Sequence, residues 1–242
     1  MAKHIGNNQS TLTFCYWAIR GLGQPIRFML AEAGVSAHEI RLGVDQDGRT
    51  HNEDEEDQDW ASHKATLQLP FPNLPYLIDS SGSQMIQITQ SNAILRYLAR
   101  NYGFYGESEA DRIQIDMLQE EAYDFRNKIV RTAYTLGDAY PAAFDEFSNN
   151  AVPRHVNGFE RYLATRADTS HFVGQKLSLV DFVIYELVWQ IQLMVPGSIS
   201  DLSRPNLNAF IEHFSNRPRI SAYIQSQDYI ERPINSPWAS FA

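Results

Sequence analysis

Tyr16 ends an aromatic and β-branched run, TLTFCYW, immediately before a turn marked by Gly21 and Gly23. A phenol at the carboxyl end of a strand in an α/β sheet sits where such sheets usually bind ligands. It can donate one hydrogen bond to an anion, a thiolate or a developing oxyanion, without giving up its own proton. The bland alternative is a half-buried aromatic. A second cluster lies in ITQSNAILRYLAR, where Gln90, Ser91 and Asn92 crowd the start of an amphipathic helix. Unpaired N–H groups and a partial positive charge let a helix start hold a carboxylate, yet Ser and Asn also cap helices routinely. A third lies in NLPYL, where Leu74–Pro75 precedes a strand. A cis bond there would turn the Leu74 backbone outward, its N–H and C=O open to an extended ligand. Spacing alone chooses between none of these pairs.

Other reactive side chains read as structural. Alternation along the first strand points Cys15 away from Tyr16, and a lone thiol with no CxxC partner behaves as a small hydrophobe. Ser178 and Asp181 form the S-x-x-D pattern of a capping box, with Leu177 and Phe182 placed as a hydrophobic staple. The seven histidines form neither HxxxH nor HExxH, which speaks against metal catalysis. Asp116, Glu120, Glu121 and Asp124 read as one solvated helix edge. There is no GxSxG, P-loop or dinucleotide glycine pattern.

The elements that must position these residues fall into two groups. Thr11–Trp17 reads as a strand with Leu12, Phe14 and Tyr16 on one face. A helix follows, with Pro25 in its first turn, Ile26, Leu30 and Ala33 at helical spacing, and Gly34 as its stop. His38–Val44 is a second strand. Asp45–Asp59 is too polar and too like-charged to pack, and reads as a solvent-facing loop or short irregular helix. Tyr76–Asp79 and Met85–Thr89 are two strands in a hairpin, and a helix runs from Asn92 to about Arg100. Beyond the glycine-marked NYGFYGE, everything is helical. A long helix carries Ile113, Met117, Tyr123 and Ile129 as its apolar positions, a second follows Pro153, and SLVDFVIYELVWQIQLM is apolar nearly all round, as at a bundle centre. RPNLNAFIEHFSNRP and PRISAYIQSQ supply two shorter helices. The expected organisation is a loose extension over 1–10, an α/β domain over 11–100, a linker over 101–107 and an all-helical domain over 108–242, with a cleft between the domains.

The chain has 242 residues, enough to bury about 70–75 % of its extended surface. A hydrophobic content of 43 % is that of a globular protein. Its formal net charge of -9 disfavours a nucleic-acid footprint. One cysteine excludes an internal disulfide and a cysteine zinc cluster. The opening MAKHIGNNQS lacks the apolar core of a secretory signal, and no run approaches the ~20 apolar residues of a membrane span. A cytoplasmic location is the simplest expectation.

Taken together, FCYWAIRGLGQPIRFML, FPNLPYLI, ITQSNAILRYLAR and SLVDFVIYELV resemble the cytosolic glutathione transferases over nearly the whole chain, from Thr11 to about Trp238. The mu class is the nearest, through W-x-x-x-K ahead of FPNLPYL and the RP-rich tail. The resemblance implies a thioredoxin-like domain followed by an all-α domain, assembled as a homodimer. It implies addition of the sulfur of reduced glutathione, a co-substrate, to hydrophobic electrophiles, with no metal and no tightly bound cofactor. Tyr16 resembles the catalytic tyrosine that stabilises the glutathione thiolate. Gln90 and Ser91 resemble the pair that grips the γ-glutamyl carboxylate, which favours the ligand reading of that helix start. Leu74, before a cis Pro75, resembles the residue pairing its backbone with the cysteinyl part, with Asn73 as its polar neighbour. Trp60 and Lys64 match the glycine end, Trp17 and Leu22 wall the site, and Asp124 reaches the partner subunit's site. Tyr134 resembles a tyrosine that donates to the second substrate, its bland reading being an interface aromatic. Phe71 resembles the aromatic key inserted into the neighbouring subunit.

Two positions depart from the family pattern. Ala18 replaces the family's Asp, and Asp57 replaces a mu-class arginine within the acidic loop, which predicts weaker glutathione affinity. The same residues leave open a glutathione-dependent isomerase or peroxidase acting on lipids, and a non-catalytic binding or structural protein that keeps the fold.

Overall fold

The computed structural model describes residues 11–44, 50–52, 60–69, 71–199 and 203–242. Strand β1 (Leu12–Trp17) is the hub of a five-stranded sheet in the order β3-β2-β1-β4-β5. It pairs in parallel with β2 (His38–Val44) and antiparallel with β4 (Tyr76–Asp79). Edge strands β5 (Ile86–Thr89) and β3 (Thr50–Asn52) add antiparallel to β4 and β2. The parallel β1–β2 pair requires a crossover, which helix α1 (Gln24–Ala33) supplies. Gly34 ends α1 at φ 69°, the left-handed conformation that glycine adopts without strain.

Strand β3 corrects the reading of Asp45–Asp59 as wholly loop or irregular helix. An edge strand is held by backbone bonds to β2, so its side chains need not look β-forming. Asp57 and the remainder of that segment lie outside the described residues. Helix α2 (Trp60–Thr66) was not anticipated either, being short and without a buried residue. Helix α3 (Ser91–Tyr102) closes the α/β part and is capped by Gly103.

The helical part begins with α4 (Glu109–Ala133), opened by a Ser108–Asp111 capping box. Its core stripe is Ile115, Leu118, Ala122, Phe125 and Ile129. Of the positions expected to be apolar contacts, only Ile129 is buried; Ile113, Met117 and Tyr123 are exposed. The helix carries two apolar stripes, and periodicity does not say which one faces the core. The expected solvated edge also has partners: Arg96 binds Asp116 and Glu120, while Glu121 holds His155.

Next come α5 (Tyr140–Glu146), a π-helical turn at Phe147–Ala151 and α6 (Val152–Ala164). Helix α7 (Leu179–Met194) is buried along almost its whole length, as its all-round apolar sequence requires. Helices α8 (Pro205–Ser215) and α9 (Pro218–Ile224) complete the bundle. Phe28 of α1 joins the two parts, its ring edge-on to Tyr185 at 5.4 Å and to Phe214 at 5.7 Å. Among the described residues no helix is long and apolar enough to cross a membrane.

The capping box at α7 is present as expected. Asp181 is fully buried and accepts from Phe172 N (2.7 Å), Ser178 N (2.6 Å) and Ser178 Oγ (2.7 Å). Burial pushes its carboxyl up to about 6 against the pull of those donors. Asp181→Ala strands buried donors as well as losing the cap. We expect it to cost about 3 kcal/mol and lower the melting temperature by roughly 10 °C, read by calorimetry.

Candidate active site

The site is assembled around the turn that follows β1. The Tyr16 ring is buried, and its hydroxyl accepts the Leu22 N–H at 3.0 Å. A phenol that accepts from the backbone keeps its own proton for a ligand. Burial raises the Tyr16 pKa above its ordinary value, so at neutral pH the group is a donor rather than a phenolate.

The glycines of this turn are a steric requirement. Gly21 has φ +40°, and a Cβ there would lie 2.6 Å from the Tyr16 hydroxyl. A Cβ on Gly23 would lie 2.6 Å from Cδ1 of the same ring. Just ahead of them, Arg20 is fully buried and fastens the turn. Its Nε and Nη2 grip both carboxylate oxygens of Glu186 on α7, and Nη1 donates to Ile230 O at 2.6 Å. The guanidinium also lies 3.7 Å from the centre of the Trp189 ring. The Arg20 and Gly21 N–H groups donate to Pro233 O and Ile234 O, so the C-terminal segment braces the same turn.

Helix α3 begins beside this turn. Gln90, its N-cap, has φ 71° and makes no side-chain capping bond. A non-glycine residue held in that region costs on the order of 1–3 kcal/mol and must be fixed by its surroundings. Asn92 is occupied elsewhere, accepting from Gln119 Nε2 at 2.9 Å. Simple side-chain capping therefore does not explain the Gln90-Ser91-Asn92 cluster. Ser91 is buried, and with Leu22, Asn92, Tyr123, Arg126 and Glu186 it borders a cavity of about 30 Å³, the room of one water.

The Leu74–Pro75 bond is cis, as one of the two readings required. The Leu74 N–H, however, is not left open: it donates to Asn73 Oδ1 at 2.9 Å. Trp17 meets Trp60 edge-on at 6.3 Å, which sets α2, with Lys64 exposed on it, against the end of β1. Asp124 is exposed on α4, and Phe71 is 73 % exposed. Tyr134 caps α4 and is tied to the tail: its hydroxyl donates to Ser236 Oγ (2.9 Å) and accepts from Ser236 N (3.0 Å). Its bland reading as an aromatic between helices is therefore incomplete.

One charged group was missed. Arg126, on α4, is half-buried, and burial pulls its guanidinium below the usual arginine value while Tyr16, Tyr123 and Tyr134 act on it electrostatically. Its spacing in the helix resembles any other surface arginine, so only the docking of α4 on the Tyr16 turn reveals it. Cys15, by contrast, is fully buried, and its thiol is pushed up to about 12, so it is inert as a nucleophile. Among the described residues no group of three or more His, Cys, Asp or Glu is placed to hold a metal.

Comparison with known proteins agrees with this architecture. Residues 12–100 match the glutathione S-transferase N-terminal domain and residues 123–227 a glutathione S-transferase C-terminal domain. The chain is 36% identical over 223 residues to glutathione S-transferase Mu 1 of Oryctolagus cuniculus, covering 92% of this chain and 94% of the relative. It is 34% identical over 235 residues to glutathione S-transferase Mu 3 of Homo sapiens, covering 96% of each. The Pi-class glutathione S-transferase structure of Onchocerca volvulus superposes with a TM-score of 0.77 at 30% identity, covering 95% of this chain and 99% of that one. With a buried tyrosine at the rim of its mixed sheet and both family domains in order, the chain belongs to the cytosolic glutathione transferases, enzymes that conjugate reduced glutathione to electrophiles.

Proposed function

We propose that this transferase is of mu-class type, acts as a cytoplasmic homodimer, and uses Tyr16 to hold glutathione sulfur as a thiolate. The Tyr16–Leu22 contact carries this reading, because it leaves the phenolic proton aimed away from the backbone and free to donate. Lowering a thiol pKa from about 8.5 to about 7 takes about 2 kcal/mol of preferential anion stabilisation, within reach of a hydrogen bond in a partly dry site. Arg126 supports the same task by placing positive charge beside Tyr16. The thiolate attacks the electrophilic carbon, a C–S bond forms, and the electron pair leaves with the displaced group or moves onto an opened ring. The thiol proton is released before attack, and no covalent enzyme intermediate forms.

In this reading Gln90 and Ser91 take the γ-glutamyl carboxylate at the α3 start. The Leu74 backbone pairs with the cysteinyl part once the Asn73 side chain yields, with Pro75 holding the strand entry. Trp60 and Lys64 meet the glycine carboxylate, and Trp17 and Leu22 form walls. Asp124 serves the partner subunit's site, and Tyr134 faces the electrophile with the tail residue Ser236. The capped end of α3 at Gly103 and the Ser108 start of α4 support a domain boundary at 101–107. The 73 % exposure of Phe71 supports the dimer, in which that ring would be buried against the partner subunit.

Tyr16→Phe tests the mechanism. We expect kcat/KM with chlorodinitrobenzene at pH 6.5 to fall about 30-fold, and the apparent pKa of bound glutathione, read from thiolate absorbance, to rise by about 1.5 units. A bound thiol with unchanged titration in the variant would refute the role. Phe71→Ser tests assembly. Sedimentation should shift from dimer to monomer, and a parent chain that is already monomeric would remove the dimer and with it the role of Asp124.

A further inference from the structure

Helix α2 carries Trp60 and Lys64, yet its seven residues bury no side chain fully. So short a helix is not stable by its own hydrogen bonds, and contacts with the rest of the fold must define its position. A row of four rings does this. Trp17 meets Trp60 at 6.3 Å, Trp60 meets His63 at 6.1 Å, and His63 stacks on Tyr76 at 5.8 Å with the planes 24° apart. The row ends in a hydrogen bond of 2.8 Å between His63 Nε2 and the Tyr76 hydroxyl.

Tyr76 is the fixed end of that bond. It is buried, opens β4 directly after Pro75, and stands opposite Cys15 in the β1–β4 ladder. Its hydroxyl also contacts the Cys15 thiol, a weak partner. The row of rings therefore starts at the residue after Tyr16 and ends at the residue after Pro75. It spans the two strand ends that carry the thiol-binding parts of the site, with α2 suspended between them. With its Nε2 engaged by Tyr76, His63 faces the sheet, while its neighbour Lys64 is exposed.

We propose that His63 is a positioning residue for substrate binding. Through Tyr76 it locks α2 to the sheet, and so sets Lys64 and Trp60 at the distance that receives the glycine end of glutathione. The inference rests on the assignment of Trp60 and Lys64 to that end. It predicts a selective effect, because only the glycine portion of the ligand meets α2.

The test uses the full-length protein and two ligands, glutathione and γ-glutamylcysteine, which lacks the glycine. His63→Phe keeps a stacking ring and removes the hydrogen bond; Tyr76→Phe removes its other half; His63→Gln can restore it. Titration calorimetry should show glutathione affinity about fivefold to tenfold weaker in each Phe variant, and no weaker again in the double variant. Affinity for γ-glutamylcysteine should stay within about twofold, and His63→Gln should recover most of the loss. The KM for glutathione should rise while kcat at saturating glutathione stays unchanged. Equal weakening of both ligands, or unchanged glutathione binding in His63→Phe, would overturn the proposal. Lys64→Ala separates the layers. If it weakens glutathione alone while His63→Phe does nothing, only the positioning role fails. If Lys64→Ala also leaves glutathione binding intact, the assignment of the glycine end is wrong and the inference falls with it.

Discussion

The buried pairing of Arg20 with Glu186 is the contact on which the rest of the site depends. Residues 166 apart in the chain meet through a two-pronged carboxylate–guanidinium contact with both side chains nearly sealed from water. Such a pair gains little net stability, because desolvating two charges offsets their attraction; removing one partner leaves a buried charge and costs about 3–5 kcal/mol. Its value here is positional. It joins the turn beside Tyr16 in the α/β part to the central helix of the bundle, while Ile230, Pro233 and Ile234 close over the same turn. The tail that receives Arg20 also holds Tyr134 through Ser236. Tyr16 and Tyr134 thus share one brace.

Above that brace the geometry favours an anion. The Leu22 N–H is spent on Tyr16, the Tyr16 proton remains to be donated, and Arg126 adds charge from the facing helix. Gly21 and Gly23 allow the turn to lie against the phenol, where any side chain would collide with it. The strained Gln90 belongs to the same design: a backbone held away from its relaxed conformation at a helix start is preserved by surrounding structure and left uncapped. Rigid, pre-placed donors lose little entropy when a ligand binds, and so favour the charged state of the bound group.

The surface of α4 shows how one helix serves two purposes. Ile115, Leu118, Ala122, Phe125 and Ile129 fill the core, while Ile113 and Met117 project from another side. Asp124 and Arg126 sit two residues apart, one exposed and one turned towards Tyr16. A helix of 25 residues can line the bundle core, border the active site and present an apolar stripe outward, because 3.6 residues per turn divides its circumference into separate faces.

What the sequence determined by itself was everything set by near neighbours. The glycine stop of α1, the capping box of α7, the alternation of β1 and the all-round apolar run of α7 each act within a few residues, and each was legible. So was the order of motifs that identified the family. The tertiary structure alone decided which apolar stripe of α4 meets the core, that polar Thr50–Asn52 joins the sheet, and that Asn73 holds the Leu74 N–H. It also brought Arg20 to Glu186, Arg126 to Tyr16 and His63 to Tyr76. These pairings join distant stretches of chain, and their energies depend on burial and orientation, which exist only once the two parts have packed.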